Sequence, residues 1–192
     1  MNQNEKNGPA DLPAKTGVIH GRFQILHNDH MKYILSGKAR CDHLVIGITN
    51  PDPTLTRKES SDPKRDDRFS NPLTYYERYT VLNAALKKSG LDHDEFSVVP
   101  FPINMPELYQ YYVPMDAVFF LTIYDDWGRQ KQRYFSTLGL KIHILREVPY
   151  EEKGISSSEI RDRIEKGEPW EHLVPEVVSR FMKEWNISVR FR

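Results

Sequence analysis

Cysteine is almost absent from this chain of 192 residues, and so are long apolar runs and any excess of one charge. The single cysteine, Cys41, excludes a disulfide within the chain and a cysteine-rich zinc site, and it favours a reducing cytoplasm. Basic and acidic residues number 27 each, so no broad electrostatic field recommends nucleic acid or an anionic membrane as a partner. No apolar run is long enough to span a bilayer. These absences favour a cytoplasmic protein that binds neither nucleic acid nor membrane.

The length fits one domain, preceded by a polar leader and interrupted by one charged segment. Residues 1–15 contain Pro9 and Pro13 and lack the apolar core of a signal peptide, so we expect a disordered leader and a folded domain over residues 16–192. Residues 51–72 are broken by prolines, densely charged and without apolar periodicity. This composition predicts a mobile loop within the domain.

Short β-branched runs alternate with amphipathic helical stretches along the domain. Strands are predicted at residues 17–20, 44–48, 96–99, 117–121 and 142–145. Helices are expected from about His30, with Met31, Ile34 and Leu35 on one face, and then after Thr74, over residues 126–138, after Ser156 and after Pro175. Thr74 and Ser156 are each followed three residues later by glutamate, which is the signature of a capping box. The alternation predicts an α/β fold, a doubly wound parallel sheet with C-terminal helices.

The turn between the first predicted strand and helix carries His27 and His30, three residues apart, with Arg22 before them. Backbone N–H groups and the helix dipole at such a turn can receive a phosphate. The two imidazoles can present to one anion, and Arg22 adds a fixed positive fork. Taken alone, two histidines more often lie at the surface or bind a metal, although a metal site would want further ligands and none is adjacent.

A second predicted helix start reads Ile155-Ser156-Ser157-Ser158, with Arg161 one turn further on. Its hydroxyl and N–H groups suit phosphate oxygens, but the segment taken alone is an ordinary helix cap. The conjunction with the first turn is informative, because two such helix starts on one parallel sheet are what clasping a triphosphate requires.

Together the two segments resemble the paired motifs of the nucleotidyltransferase superfamily. Residues 21–24 followed by His27 and His30 resemble its first motif, His-x-Gly-His, and residues 155–161 resemble its second, Ile-Ser-Ser/Ala-Thr-x-x-Arg. The family that the chain resembles most is archaeal-type nicotinamide-mononucleotide adenylyltransferase. That resemblance runs from about residue 17 to residue 185 and includes residues 71–74, 77–78, 102–104 and 155–175.

The resemblance implies a Rossmann-like nucleotidyltransferase fold and in-line attack of an acceptor phosphate on the α-phosphorus of a nucleoside triphosphate, expected to be ATP. No protein nucleophile is needed, so catalysis rests on positioning and charge neutralisation. Mg²⁺ is expected to bridge the substrate phosphates, without a dedicated metal site of protein ligands. The expected partners are the triphosphate, a small phosphorylated acceptor and further copies of the chain.

Site residues follow from the same resemblance. The predicted catalytic residues are His27, His30 and Arg22. Triphosphate contacts are predicted for Gly21, Phe23, Gln24, Ser156, Ser157, Ser158 and Arg161. Loop residues that either close over the triphosphate or simply remain solvated are Lys58, Lys64, Arg65 and Arg68. Acceptor contacts are predicted for Asn104, Tyr109, Tyr112 and Trp127.

The sharpest departure from the family pattern is Asp29, which stands where the first motif has glycine. Glycine lets the helix start approach the phosphates, whereas aspartate adds bulk and negative charge beside a polyanion. We expect the Asp29 carboxylate to accept hydrogen bonds from N–H groups at the start of its own helix. The alternatives are a bond to the substrate magnesium and a contact with a positively charged acceptor or with a loop arginine such as Arg57 or Arg65.

Three functions fit the sequence. The first is adenylyl transfer to nicotinamide mononucleotide, which makes NAD. The second is cytidylyl or adenylyl transfer to another phosphomonoester. The third is a catalytically silent nucleotide-binding protein, which Asp29 favours, whereas the histidine pair and the Ser-Ser-Ser-x-x-Arg segment favour an enzyme.

Overall fold

The computed structural model describes residues 13–52, 70–152 and 154–191. Residues 1–12 of the expected leader lie outside the described residues. Its last two residues, 14 and 15, belong to the first strand. Residues 53–69, which make up most of the expected mobile loop, also lie outside the described residues, together with the loop candidates Lys58, Lys64, Arg65 and Arg68.

In the described part of the chain, five parallel strands form one sheet in the order β3-β2-β1-β4-β5. They are β1 (Ala14–Gly21), β2 (Cys41–Thr49), β3 (Phe96–Phe101), β4 (Val118–Ile123) and β5 (Lys141–Glu147). In the centre of the sheet Val18 of β1 pairs with Val45 on one side and Phe119 on the other. This arrangement confirms the predicted doubly wound α/β fold. The chain changes its winding direction between β1 and β4, and ligands bind at such a switch point.

Among the residues described, five helices flank the sheet: α1 (Asn28–Lys38), α2 (Tyr75–Lys88), α3 (Asp126–Thr137), α4 (Ser157–Lys166) and α5 (Glu176–Glu184). Short 3₁₀ helices lie at Pro106–Tyr111, Tyr150–Glu152, Glu171–Leu173 and Ile187–Phe191. No helix among the described ranges is long and apolar enough to cross a membrane.

The two predicted capping boxes differ in the structure. At α2 the box is complete, because Thr74 Oγ1 accepts the Glu77 N–H and Glu77 Oε2 accepts the Thr74 N–H. At α4 the Ser156 hydroxyl accepts the Glu159 N–H, but the Glu159 carboxylate binds Arg163 one turn further on. The second box is therefore only half formed, since a charged partner at i+4 competes for the glutamate.

Two apolar clusters cover the two faces of the sheet. Ile19, Ile34, Leu82 and Val178 belong to the larger cluster, in which α1, α2, α4 and α5 pack on one face. The smaller cluster lies on the opposite face with α3 and contains Val18, Phe119, Tyr109 and Phe135. One expectation for α1 is wrong, because Leu35 is 38% exposed and only Met31 and Ile34 of its predicted face are buried. The burial leaves the carboxyl ends of β1 and β4 open as a cleft.

Candidate active site

The cleft has a volume of about 340 Å³ and brings the two sequence motifs together. Its described lining includes the following predicted site residues: Arg22, Phe23, Gln24, His27, His30, Trp127, Ser156, Ser157, Ser158 and Arg161. The β1–α1 turn and the start of α4 are also bonded directly, because the Ser157 hydroxyl donates to the Ile25 carbonyl at 2.9 Å. The expected meeting of two helix starts at one site is thus observed.

His27 is the N-cap of α1 as well as a lining residue of the cleft. Its Nδ1 accepts the backbone N–H of His30 at 3.2 Å, so the proton of the neutral ring must sit on Nε2. The ring stacks on that of His30 with 3.6 Å between centroids and 20° between planes. The cap fixes the tautomer and makes Nε2–H the only donor that this imidazole can offer to a ligand.

Both histidines are held neutral by their surroundings. Burial lowers the pKa of His27 from 6.5 to about 4, although the Asp29 carboxylate partly opposes the shift. Burial also lowers the pKa of His30 well below 6.5, helped by the nearby His27 and Arg22 and opposed by a hydrogen bond with the Ile25 backbone. At neutral pH the ligand-free site therefore presents two uncharged imidazoles, which act toward phosphate oxygens as hydrogen-bond donors.

The turn before His27 owes its shape to close packing around the Phe23 ring. A side chain on Gly21 would come within 2.9 Å of that ring, so only glycine fits at this position. Phe23 itself has φ +53° and packs edge-on against His30 with 5.1 Å between centroids. Gly21 therefore acts by making room for Phe23, and its predicted contact with the triphosphate stays a prediction.

Gln24 and Arg161 hold the same turn from two sides. The Gln24 amide donates to the Leu73 carbonyl at 2.8 Å and accepts the Leu73 N–H at 2.9 Å. The buried Arg161 guanidinium donates to the Gln24 carbonyl and to the Ser158 hydroxyl. The Gln24 side chain is committed to the protein backbone, so its predicted role with the triphosphate is limited to backbone contacts.

The start of α4 contributes hydroxyl groups that are all engaged within the protein. Ser156 caps the helix, Ser157 binds the Ile25 carbonyl and Ser158 accepts from Arg161. The first N–H groups of a helix have no acceptor inside it, so those of Ser157 and Ser158 point toward the cleft end of α4. These backbone groups are better placed than the hydroxyls for holding a phosphate.

The predicted acceptor residues separate into two groups. Trp127 lines the cleft, and with Asn104 it also lines an adjoining cavity of about 150 Å³. Tyr109 is completely buried in the smaller apolar cluster and donates its hydroxyl to the Ile103 carbonyl. Tyr112 packs against that cluster and does not line the cleft. Tyr109 is therefore wrong as an acceptor residue, because its ring is fully buried against the sheet, whereas the predicted acceptor contact of Tyr112 stays a prediction.

Several residues of the cleft were not predicted from the sequence. They include His20, Tyr33, Tyr124, Asp125 and Lys131. Asp125 caps α3 by accepting the Gly128 N–H at 2.8 Å, and Lys131 lies one turn after Trp127 with its Nζ 3.8 Å from the centre of the indole ring. Trp127 and Lys131 are spaced i and i+4 on one predicted helix, and this spacing could have predicted their contact.

Within the described residues, no group of three or more histidine, cysteine, aspartate or glutamate side chains is arranged to hold a metal ion. Asp29 and Asp125 are the carboxylates that line the cleft. Both oxygens of Asp29 are bonded to protein groups, to Lys32 and to the Ile155 N–H, whereas the described residues engage only Oδ1 of Asp125. Asp125 thus has the oxygen best suited to a phosphate-bound Mg²⁺.

Known proteins of similar sequence carry out nucleotidyl transfer. A family model described as cytidylyltransferase-like matches residues 18–163. The chain is 47% identical to the phosphonoformate cytidylyltransferase of Streptomyces viridochromogenes, over 95% of this chain and 98% of that protein. It is 31% identical to the nicotinamide-nucleotide adenylyltransferase of Thermococcus onnurineus, over 88% of this chain and 83% of that protein.

The fold also matches solved structures of low sequence identity. A bifunctional NMN adenylyltransferase/ADP ribose pyrophosphatase from Francisella tularensis superposes with a TM-score of 0.63 at 14% identity. The match covers 92% of this chain and 53% of the other, so the chain spans about half the length of that protein. At this identity the likeness shows the fold alone.

Proposed function

The chain belongs to the cytidylyltransferase-like family of nucleotidyltransferases, and we propose that it transfers a cytidylyl group from CTP to a small acceptor bearing a phosphonate or phosphate group. The observation that carries the proposal is the 47% identity to a phosphonoformate cytidylyltransferase along nearly the full length of both chains. Relatives that use nicotinamide mononucleotide are about 30% identical. The proposal therefore reverses the order expected from the sequence, in which ATP and nicotinamide mononucleotide came first.

The described cleft has the size of a ligand site. Ligand pockets span roughly 300–1,000 Å³, and the cleft, at about 340 Å³, lies within that range. Its lining of histidine, arginine and serine side chains suits anionic substrates.

The proposed reaction is a single displacement at the α-phosphorus. An oxygen of the acceptor phosphonate or phosphate forms a bond to that phosphorus, the bond to the bridging oxygen of the β-phosphate breaks, and pyrophosphate leaves with the electron pair. His27, through Nε2–H, and His30 donate hydrogen bonds to the phosphate oxygens where negative charge develops. Arg22 and the start of α4 hold the phosphates that leave.

Magnesium would supply further neutralisation of the phosphate charge when it is bound. The triphosphate oxygens provide most of its ligands, which suits a site with few carboxylates. Asp125 Oδ2 would add the protein's ligand, because Asp125 lines the cleft and uses only its other oxygen to cap α3. Removing divalent cations with a chelator is expected to abolish turnover.

Adenylyl transfer to nicotinamide mononucleotide is the second candidate. It is favoured by Asn104 and Trp127, which meet in the cavity of about 150 Å³ next to the cleft and are among the residues predicted to contact the acceptor. A flat ring stacked on Trp127 would occupy that cavity. This candidate requires the triphosphate to be ATP.

The test is a pyrophosphate-release screen of four nucleoside triphosphates against phosphonoformate, other small phosphonates and phosphomonoesters, and nicotinamide mononucleotide. We expect turnover with CTP and a small phosphonate or phosphate, and a cytidylylated product by mass spectrometry. Preference for ATP with nicotinamide mononucleotide would overturn the proposal in favour of the second candidate. The His27→Asn variant, purified in parallel, controls for contaminating activity.

A further inference from the structure

Arg78 of α2 is a buried arginine that binds the carboxyl ends of two central strands. Its side chain is 2% exposed, and its guanidinium donates to the carbonyls of Thr49 at 2.7 Å, Asn50 at 2.7 Å and Arg22 at 2.9 Å. A fourth bond, from Nε at 3.3 Å, goes to the carbonyl of Thr74, the N-cap residue of its own helix. One side chain thus ties together the end of β2, the start of the β1–α1 turn and α2.

The charge of Arg78 has no carboxylate partner among the residues that the structure describes. Burial lowers the pKa of Arg78 from 12.5 to about 10, with a smaller opposing effect of Tyr75 and a further lowering by the positive charge of Arg22. Arg78 therefore remains charged at neutral pH. Within the described part of the chain, Arg78 faces carbonyl dipoles and a second cation, so its charge is incompletely neutralised there. An anion bound nearby would relieve this cost.

Arg190 shows how a structural arginine is arranged in the same region. It donates to the Pro72 carbonyl at 2.7 Å and forms a two-bond ion pair with the Glu77 carboxylate. Its charge is neutralised within the fold, and it does not line the cleft. Glu77, the partner of Arg190, directly precedes Arg78 on α2. Arg190 therefore shows what a charge-neutralised arginine does at this place, whereas Arg78 binds backbone carbonyls and keeps its charge.

We propose that Arg78 is a positioning residue for triphosphate binding, which fixes the Arg22 backbone at the mouth of the cleft and adds a buried positive charge that the bound phosphates neutralise. Arg22 reaches the cleft directly, whereas Arg78 acts through the carbonyl of Arg22 and through its charge. The Arg78 guanidinium also occupies three carbonyl oxygens at the strand ends, whose partial negative charge is unfavourable near phosphates. This inference rests on the proposed function only in that a triphosphate occupies the cleft.

The test compares Arg78→Met and Arg78→Lys with the matched control Arg190→Met. Each protein is titrated with inorganic tripolyphosphate and with CTP by calorimetry, and KM is measured separately for CTP and for the acceptor. Tripolyphosphate is the primary probe because it requires no choice of base or acceptor. Thermal unfolding reports stability independently.

We expect Arg78→Met to weaken tripolyphosphate and CTP binding by at least about tenfold, and to leave the KM of the acceptor within about twofold. Arg78→Lys should recover most of the binding because it keeps the charge, while turnover stays low because an ammonium cannot span three carbonyls. Arg190→Met should lose stability without losing affinity.

If Arg78→Lys binds CTP with the affinity of wild type and also turns over at the wild-type rate, the positioning role is overturned. This outcome can be read even if Arg78→Met does not fold. If Arg78→Met and Arg190→Met lose tripolyphosphate and CTP affinity equally, the role of Arg78 is purely structural. Weakened tripolyphosphate binding in a protein that proves inactive with CTP would support this inference and contradict the proposed function, so the two can fail separately.

Discussion

Asp29 Oδ2 accepts the backbone N–H of Ile155 at 2.7 Å, which joins the start of α1 to the residue that precedes the cap of α4. The other oxygen, Oδ1, accepts from Lys32 at 2.7 Å. Burial raises the pKa of Asp29, but the bonds from Lys32 and Ile155 outweigh it and hold the pKa below its usual value. The expectation that Asp29 would bind N–H groups of its own helix is wrong, because the start of α4 lies closer to its carboxylate.

Replacing Asp29 by glycine is expected to loosen the contact between the two motifs. The variant loses a charge-assisted hydrogen bond and adds a flexible residue to the first turn of α1, at a cost of about 2 kcal/mol in the free energy of unfolding. We expect turnover to fall by about tenfold, because α4 is no longer held against the β1–α1 turn. Urea unfolding and steady-state kinetics measure the two effects.

The Asp29→Asn variant tests the hydrogen bond to Ile155 without the negative charge of the carboxylate. Its amide oxygen can still accept the Ile155 N–H, so turnover and stability should stay close to those of wild type. Binding of CTP should tighten in Asp29→Asn, because a negative charge near the triphosphate has been removed. An Asp29→Gly protein as stable and active as wild type would contradict the bridging role.

The fold was predictable from the sequence because its signals are local. Short apolar runs located the five strands β1 to β5, and the pattern Thr74 to Glu77 located the start of α2. The partners of several polar side chains at the cleft were not predictable, because those partners are distant in sequence. Asp29 and Ile155 are 126 positions apart, and Gln24 and Leu73 are 49 apart. Tyr109 was predicted to contact the acceptor but is buried in the core. Nothing in an aromatic segment of the sequence distinguishes a ring of the core from a ring of the cleft.

The double role of His27 permits a variant that removes catalysis and keeps the helix cap. In His27→Asn the side-chain oxygen can accept the His30 N–H in place of Nδ1, because asparagine is a good N-cap residue. The Nε2–H donor to the phosphates is lost. We expect turnover to fall by about 10²-fold or more, as for the loss of one oxyanion donor, with little change in stability near neutral pH. Near-normal turnover would remove the proposed role of His27.

Stability should depend on pH in the range where buried histidines become protonated. Burial lowers the pKa of His27 from 6.5 to about 4, so below pH 6.5 the folded state binds fewer protons than the unfolded state. The free energy of unfolding therefore falls as pH falls, by about 2 kcal/mol for His27 alone between pH 7 and pH 5, and His30 adds to the loss.

Urea unfolding of wild type and His27→Asn at these two pH values checks the assignment. The decrease should be smaller in the variant, because one of the titrating groups is gone. An equal decrease in both proteins would show that the pH dependence comes from other residues.

The roles of Ser156 and Arg161 at the start of α4 can be distinguished by stability and affinity. Ser156 caps the helix, so Ser156→Ala should lower the free energy of unfolding by about 1 kcal/mol and leave CTP affinity unchanged. Arg161→Lys keeps the charge but loses the planar fork that holds Gln24 and Ser158, and CTP binding should weaken by about tenfold. Loss of CTP affinity in Ser156→Ala would assign the capping hydroxyl to the triphosphate.

Lys131 is predicted to bind the acceptor and not the triphosphate. It lines both the cleft and the small cavity that contains Asn104, and its ammonium lies 3.8 Å from the centre of the Trp127 ring. Stacking on the indole fixes the long side chain, which lowers the entropy lost when an anion binds. The proposed acceptor is small and anionic, so Lys131→Met should raise its KM by about tenfold and leave the KM of CTP unchanged.

Arg133→Met is the matched control for this change, because Arg133 lies on α3 with Lys131 but is exposed and outside the cleft lining. Lys131→Arg should retain most of the acceptor affinity, since a guanidinium also stacks on indole and binds phosphonate or phosphate oxygens. A KM increase for CTP in Lys131→Met, with the acceptor KM unchanged, would place the triphosphate beside α3. The acceptor would then have to approach the α-phosphorus from the α4 side of the cleft.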